Sequence, residues 1–223
     1  MEFYAHSLPD EPEKKWQKLE DHLQNVAKLA AEFAKPFGGE QWARIAGLWH
    51  DVGKFSEQFQ RMIRGEKTRV VHSEAGGHLA QQRMTKGMER IFCWLIMGHH
   101  AGLADFGSTE SGAKALEPKM RTPEASNYIL QNVPEQVKNH LEPAPPKVLL
   151  ERGDVSFFIR MLFSCLLDAD FLDTEAFMDE GRKRLRQSTR PPLDELLNAF
   201  DRYMTKFDDV EPVGVNQIRR EVL

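Results

Sequence analysis

Histidine and aspartate residues recur along this sequence inside segments that are otherwise apolar. His50 and Asp51 stand side by side at the end of one apolar run, and His99 and His100 follow another. Neutral imidazoles and carboxylates are good ligands for divalent transition metals. Because buried polar groups need compensating partners, the pattern predicts one shared metal site. The candidate ligands are His22, His50, Asp51, His72, His99, His100, Asp168 and Asp170.

The context of His50 and Asp51 distinguishes this pair from a chance dipeptide. It is followed by Gly53, which permits a tight exit from a helix, and by Lys54, which places a cation beside the pair. A single histidine on a helix is more often structural than metal-binding, so histidines without such a context are left out of the candidate set. These are His6, His78 and His140.

Other motifs for phosphate and metal chemistry fail on their spacing. The stretch from Gly47 to Lys54 resembles a phosphate-binding P-loop, but it has one residue too many between its glycines. Phe55 also stands where that motif needs serine or threonine. The sequence contains neither an HExxH pair nor a CxxC pair, which excludes the zincin and zinc-ribbon classes.

The composition is that of an ordinary globular protein. The 223 residues are 41% hydrophobic and 29% charged, and the formal net charge of -4 gives no general basic field for nucleic acid. Cys93 and Cys165 lie in apolar runs and resemble small core residues rather than a disulfide framework. No signal peptide or membrane-spanning stretch is visible. We therefore expect a cytoplasmic protein with no membrane segment.

Helical periodicity dominates the chain, and no clear run of alternating strand residues interrupts it. Apolar residues recur at three- and four-residue spacing, as they do on the buried face of a helix. The predicted helices cover about residues 16–33, 40–50, 55–63, 73–84, 90–97, 157–171 and 193–207. We therefore predict an all-α fold whose helices pack around a shared polar pocket.

Two segments are predicted to be irregular. Residues 101–126 are rich in glycine, proline and small polar residues, and they begin directly after His99 and His100. A loop of this length is usually functional or disordered, and here it would border an open groove at the site. Residues 208–214 have the acidic, proline- and glycine-containing composition of a linker.

The order of the motifs, H…HD-x-GK…HS-x-x-G…HH…AD, resembles the HD-type nuclease domain of the CRISPR-associated helicase-nuclease of type I interference systems. The resemblance runs from about Ala5 to Phe207. The HD pair alone is shared by a large phosphohydrolase superfamily, whereas HS-x-x-G together with the paired histidines is more specific. The resemblance implies an HD-superfamily helical domain over residues 1–207, with a metal site at its centre. Residues 208–223 would then be a linker and the start of a following helicase segment.

The resemblance also implies two metal ions. His22, His50, Asp51 and a later aspartate would bind the first ion, and Asp51 would bridge to the second. In the wider superfamily the later ligand is the aspartate of an Ala-Asp pair, which favours Asp170 over Asp168. The second ion would be bound by Asp51, His72, His99 and His100.

In the reaction, His50, Asp51 and Lys54 would be the catalytic residues, with Lys54 neutralising charge on the pentacoordinate phosphorus. Mixed imidazole and carboxylate ligands favour manganese, iron, cobalt, nickel or zinc over magnesium.

The function implied is a metal-dependent nuclease, endonuclease or exonuclease, that hydrolyses single-stranded DNA in antiviral CRISPR interference. Its partners would be a helicase domain, in the same chain or as a separate subunit, and the RNA-guided surveillance complex. An HD phosphohydrolase of small nucleotides is the alternative, and it would need a closed pocket with a wall that recognises the base. A metal-stabilised interaction domain without catalysis is a third hypothesis.

Overall fold

The computed structural model describes most of the chain, namely residues 2–68, 70–107, 115–121, 123–145, 154–186, 191–207, 214–215 and 217–218. The chain divides into two compact units, Met1–Glu180 and Gly181–Leu223. All candidate ligands lie in the first unit. The expected boundary between residues 207 and 208 stays a prediction, because residues 208–213 lie outside the described residues.

The fold is all-α, as the periodicity predicts. The helices of the first unit are α1 (Leu19–Ala34), α2 (Glu40–Trp49), α3 (Glu57–Ile63), α4 (Glu74–Arg83), α5 (Met88–Gly98), α6 (Leu116–Met120), α7 (Glu124–Leu130), α8 (Glu135–Lys138) and α9 (Val155–Met178). Helix α10 (Glu180–Arg186) begins at the last residue of this unit, and α11 (Leu193–Met204) lies in the second. Short 3-10 helices cover Glu13–Lys15, Lys35–Phe37, Val52–Phe55 and Thr205–Phe207. None of the described helices is long and apolar enough to cross a membrane.

The prediction that residues 101–126 form an irregular loop is wrong in part. Helix α6 and the first residues of α7 fall within it, and Leu116 is buried against Cys93 and Met97 of α5. These helices have five and seven residues, so they are too short to show a clear periodicity. Residues 108–114 of the expected loop lie outside the described residues.

The N-terminus contains a two-stranded ribbon that the sequence analysis did not predict. Strands β1 (Tyr4–His6) and β2 (Gln17–Lys18) pair antiparallel, with His6 opposite Gln17. Strands of three and two residues carry no detectable alternation, so their pairing depends on tertiary contacts rather than on a local pattern. The ribbon leads directly into α1.

The core forms where α1 packs against α2 and α9, and where α4 packs against α5. Large aromatic side chains fill the space between α2, α5 and α9. Trp42 stacks on Phe92 with ring centroids 5.3 Å apart and meets Phe158 edge-on at 5.6 Å. The indole of Trp49 donates a 2.7 Å hydrogen bond to the carbonyl of Val137. This packing fixes the end of α2, where the His-Asp pair stands.

Candidate metal centre

Five parts of the first unit contribute side chains to one polar cluster. His22 comes from α1, the His50–Asp51 pair from the end of α2, and Asp170 from α9. The segment before α4 and the end of α5 contribute the remaining members, His72, His99 and His100. The structure thus brings together all seven residues that the resemblance implies as ligands. They form three overlapping groups, and within each group the potential ligand atoms lie within 4.8 Å of one another.

Asp51 lies at the middle of the cluster, and its two carboxylate oxygens face different histidines. Its Oδ2 is 3.7 Å from His22 Nε2 and 3.3 Å from His50 Nε2. Its Oδ1 is 3.5 Å from His72 Nε2 and 3.4 Å from His99 Nε2. One carboxylate therefore joins two separate sets of nitrogen ligands.

Asp170 completes the first set and His100 the second. Asp170 Oδ1 is 3.4 Å from His22 Nε2 and 3.6 Å from His50 Nε2. His100 Nε2 lies 2.8 Å from His72 Nε2. Two ligands that each stand about 2.1 Å from a tetrahedral ion are themselves roughly 3.4 Å apart. The spacing of most of these atoms thus matches that of ligands around a common ion.

Asp168, the other candidate on α9, does not join the cluster. It is exposed, whereas Asp170 is partly buried. The two residues are two positions apart on a helix, so their side chains point in different directions. Asp170 accordingly remains the expected ligand.

Several ligand atoms are buried without a partner. The Nε2 atoms of His22, His50 and His99 and Oδ1 of Asp51 have no hydrogen bond to any described residue. A buried polar atom left unpaired costs about 1–3 kcal/mol, and a group of such atoms in one place is typical of a site that binds a ligand or an ion. One divalent cation beside His22 and His50 and a second beside His99 and Asp51 Oδ1 would together satisfy all four atoms. The donor set therefore fits a divalent metal.

The backbone fixes the orientation of two of these histidines. His50 Nδ1 is 2.8 Å from the carbonyl oxygen of Gly47, and His99 Nδ1 is 2.6 Å from that of Ile96. A carbonyl oxygen can only accept, so Nδ1 carries the proton in both rings. The lone pair of a neutral ring is then on Nε2, which faces Asp51. This is the arrangement by which proteins orient histidine ligands.

The charges of the inner residues depend on one another. Burial disfavours a charged ring, but the carboxylates of Asp170, Asp173 and Asp51 raise the pKa of His22 to about 10. Burial opposes protonation of His50 as well, and the charges of Asp51 and Asp170 raise its pKa to about 9. Protons on these rings occupy the positions that a metal ion would take.

Lys54 is buried beside Asp51 rather than at the edge of the cluster. Its Nζ lies 2.7 Å from Asp51 Oδ2 and donates to the carbonyl oxygen of Ala5 at 3.3 Å. Although burial works against the charge on Asp51, the Lys54 ammonium and the His50 ring hold the pKa of the Asp51 carboxyl well below its usual range. Lys54 thus holds Asp51 charged and in place, and its expected contact with phosphorus stays a prediction.

Part of the cluster is open to solvent. His100 is exposed, the side chain of His72 is 17% exposed and that of Asp170 24%. The part of the His100 ring that is turned away from solvent and the neighbouring His99 lower the pKa of His100 to about 4, and burial also lowers the pKa of His72. These outer rings are therefore neutral at physiological pH, ready to bind a cation. The solvent-exposed parts of these three side chains are accessible to a molecule from solution.

Two glycines allow the segment before α4 to approach the His-Asp pair. A Cβ on Gly53 would lie 1.9 Å from the carbonyl oxygen of His72, and one on Gly76 would lie 1.9 Å from that of Trp49. No side chain fits at either position unless the backbone moves. The Gly53 and Gly76 contacts therefore set the distance between His72 and Asp51.

The sequence analysis missed three polar residues behind His22. Asp173 and Gln17 were given no role, and His6 was left out as lacking context. Asp173 Oδ2 lies 2.7 Å from His22 Nδ1, and the His6 ring meets the His22 ring edge-on with centroids 5.0 Å apart. The spacing of Asp173 from Asp170, three residues on one helix, was a signal that both face the same way.

The other two histidines left out of the candidate set lie outside the cluster. His78 is buried on α4, where its ring is hydrogen-bonded to Ser126 Oγ at 2.7 Å and to the carbonyl oxygen of Lys119 at 2.9 Å. It joins α4 to α6 and α7. His140 lies against Trp49, with ring centroids 6.4 Å apart. Both have structural contacts instead of a place among the ligands.

Comparison with models of known protein families identifies the family of this chain. The family model described as HD domain matches residues 19–205. The matched region begins at the first residue of α1 and includes all seven residues of the cluster. No curated protein matches the chain.

Proposed function

The chain belongs to the HD domain family of metal-dependent phosphohydrolases, and from this premise we propose that it is a two-metal nuclease acting on single-stranded DNA. The observation that carries the proposal is the position of Asp51. Its Oδ2 faces His22 and His50, while its Oδ1 faces His72 and His99. A carboxylate placed in this way can bridge two ions.

The first ion would be held by His22, His50, Asp51 and Asp170. The second would be held by Asp51 together with the three outer histidines, His72, His99 and His100. A pair of divalent ions about 3.5–4 Å apart supplies an activated water and positive charge for the attacking and leaving oxygens of a phosphodiester. Nitrogen-rich ligand sets of this kind favour manganese, iron, cobalt, nickel or zinc over magnesium.

The protein's own residues would prepare this chemistry. Lys54 keeps Asp51 ionised and fixed through the 2.7 Å contact to Oδ2. The backbone bonds of His50 and His99 keep their Nε2 atoms directed at Asp51. These contacts hold the ligands in place before substrate arrives, so little reorganisation is needed during the reaction.

Two observations support a polynucleotide substrate. His100 is exposed and His72 and Asp170 are partly exposed, which leaves part of the site accessible to an extended phosphodiester backbone. The combination of HS-x-x-G with paired histidines resembles the nuclease branch of the family. On this proposal the enzyme acts in the cytoplasm in antiviral CRISPR interference. There it would work with a helicase and with an RNA-guided surveillance complex.

The test is hydrolysis of circular single-stranded DNA by protein loaded with manganese or nickel, without ATP. We expect the circles to be nicked, while the same sequence as a closed duplex stays largely intact. Cyclic and monomeric nucleotides serve as competing substrates, and the His140→Gln variant should act like the wild type.

Two results would overturn the proposal. Intact circles together with rapid hydrolysis of small nucleotides would identify a small-nucleotide phosphohydrolase. Metal-loaded protein that hydrolyses none of these substrates would favour an interaction domain stabilised by metal.

A further inference from the structure

We infer that His6, Gln17 and Asp173 form a hydrogen-bonded relay that orients His22. Through this relay the N-terminal ribbon supports the proposed metal centre. The inference rests on the two-metal centre proposed above. It assigns three positioning residues that bind no metal themselves. They act through His22, one of the ligands of the first ion.

The relay begins at the carboxylate of Asp173. A single oxygen, Oδ2, lies 2.7 Å from His22 Nδ1 and 2.7 Å from Gln17 Nε2. Asp173 and Gln17 are each 7% exposed, and His22 is fully buried. Buried bonds of this length to a charged acceptor are among the stronger hydrogen bonds in proteins.

The direction of each bond follows from the chemistry of the groups. An ionised carboxylate only accepts, so Asp173 receives hydrogens from both His22 Nδ1 and Gln17 Nε2. The Gln17 amide is therefore oriented with its oxygen toward His6, whose Nδ1 lies 2.7 Å from Oε1. His6 Nδ1 must donate this bond. Every link thus has one direction, and with a proton fixed on Nδ1 of His22 a metal can bind only at Nε2.

The placement of Asp173 on α9 connects the relay to the ligand set. Asp170 and Asp173 are three residues apart on this helix, so their side chains lie on one face. Asp170 Oδ1 stands 3.4 Å from His22 Nε2, and Asp173 Oδ2 stands 2.7 Å from His22 Nδ1. One turn of α9 therefore holds the His22 ring from both of its nitrogens.

The ribbon places the far end of the relay. His6 and Gln17 are cross-strand partners in β1 and β2, so the pairing of the strands sets their separation. The same ribbon is tied to the His-Asp segment, because Gln60 Nε2 donates to the carbonyl oxygens of Tyr4 at 2.9 Å and Lys54 at 2.8 Å.

Ala5 lies between Tyr4 and His6 in β1. Its carbonyl oxygen accepts a hydrogen bond from Lys54 Nζ at 3.3 Å. The N-terminal ribbon thus contacts the centre on two sides. One contact reaches His22 through Gln17 and Asp173, and the other reaches Asp51 through Lys54.

The experiment measures zinc and manganese affinity by competition with a chelator in the full chain. Asp173→Asn removes the charge, and Gln17→Met removes both amide bonds while keeping the side chain's size. Each variant should bind the first ion, for which His22 is a proposed ligand, about 10–100-fold more weakly. This is the usual cost of losing a residue that orients a ligand. Each variant should bind the second ion as the wild type does. Asp168→Asn on α9 and Lys18→Gln on β2 are the matched controls and should bind both ions normally.

Unfolding of the metal-free variants separates this role from a purely structural one. A lower unfolding temperature with unchanged affinity for both ions would overturn the relay. Proton–nitrogen correlation NMR of the zinc-bound protein gives an independent measure. The signal of the proton on His22 Nδ1 should shift in Asp173→Asn and Gln17→Met but not in the controls. Protein that binds both ions, loses one selectively in these variants and hydrolyses no DNA would refute the proposed function and support the relay.

Discussion

Asp51 and its neighbours show how a single buried carboxylate can serve several partners. The side chain is 1% exposed, and Lys54, at 6%, is buried with it. Taking one member of such a pair away leaves the other charge uncompensated, which costs about 3–5 kcal/mol. The same carboxylate also faces histidines on both sides. We therefore expect both metal binding and stability to depend on this residue.

Asp51→Asn should lose both ions and lower hydrolysis by more than about 100-fold, because even residues that only orient a ligand cost 10–100-fold. Elemental analysis and a nuclease assay measure this, with circular dichroism as the check on folding. The double variant Asp51→Asn/Lys54→Met should regain stability by removing the unpaired ammonium, while its metal content stays low. An active, metal-loaded Asp51→Asn protein would contradict the assignment.

The two inner histidines predict how stability depends on pH. His22 and His50 have pKa values raised to about 10 and about 9 in the metal-free fold, above the value near 6.5 of an unfolded chain. Their protonation stabilises the folded state fully below about pH 6.5, and this contribution is lost as pH rises toward 9–10. Metal-free protein should therefore unfold at lower temperature at pH 9.5 than at pH 7.

Calorimetric metal titration tests the same histidines. Because metal replaces these protons, titration at pH 7.5 in two buffers of different ionisation enthalpy should show release of about two protons. Metal binding without proton release, or metal-free stability that rises from pH 7 to pH 9.5, would contradict these pKa directions.

At the scale of the elements, long helices were predictable and tertiary details were not. The apolar stripe of α1 and the continuous apolar run of α9 are local signals, so both helices were expected near where they lie. The end of α9 was predicted at Phe171, but the helix continues to Met178. Beyond Phe171 one of its buried contacts is polar, the bond of Asp173 to His22, and hydrophobic periodicity cannot register such a contact.

The candidate ligands were selected from residue type and motif order, whereas the residues hydrogen-bonded behind His22 were not. Gln17 and His6 become neighbours only because β1 and β2 pair. No sequence pattern within either strand predicts that pairing. The sequence therefore predicted which side chains come together in the cluster better than it predicted the residues that support them.

The short 3-10 helix Val52–Phe55 lies very close to the segment before α4, and this contact leads to a further prediction. In Gly53→Ala the new methyl would lie 1.9 Å from the His72 carbonyl oxygen, so the backbone at His72 must move. We expect a loss of about 1–3 kcal/mol in the free energy of unfolding, typical of overpacking, and weaker binding of the proposed second ion, for which His72 would be a ligand.

Gly98→Ala is the matched control for Gly53→Ala, since its Cβ would meet nothing closer than 3.6 Å. Denaturant unfolding and metal stoichiometry measure both variants. Wild-type metal binding in Gly53→Ala would show that this contact does not position His72.

On the scale of the whole first unit, the metal centre joins parts of the chain that are far apart in sequence. His22 and Asp170 are separated by almost the full length of the unit, yet their side chains lie 3.4 Å apart. Fold class was predictable because composition and periodicity act everywhere along the chain. That the candidate ligands would come together could be predicted only from the order of the motifs, because no local sequence pattern indicates a contact between α1 and α9.

Metal binding should accordingly stabilise the unit as a whole. A ligand present at 100 times its dissociation constant adds about 2.7 kcal/mol to the free energy of unfolding, which for a chain of this size raises the unfolding temperature by about 5–10 °C. Calorimetry with manganese or zinc should show this shift, and a chelator should reverse it. Magnesium should shift it less, because imidazole ligands suit it poorly. In Asp170→Asn, which changes the proposed first-ion ligand on α9, the shift should shrink, whereas in Asp168→Asn it should match the wild type. An unfolding temperature indifferent to both transition metals would mean that the cluster does not bind them in the folded protein.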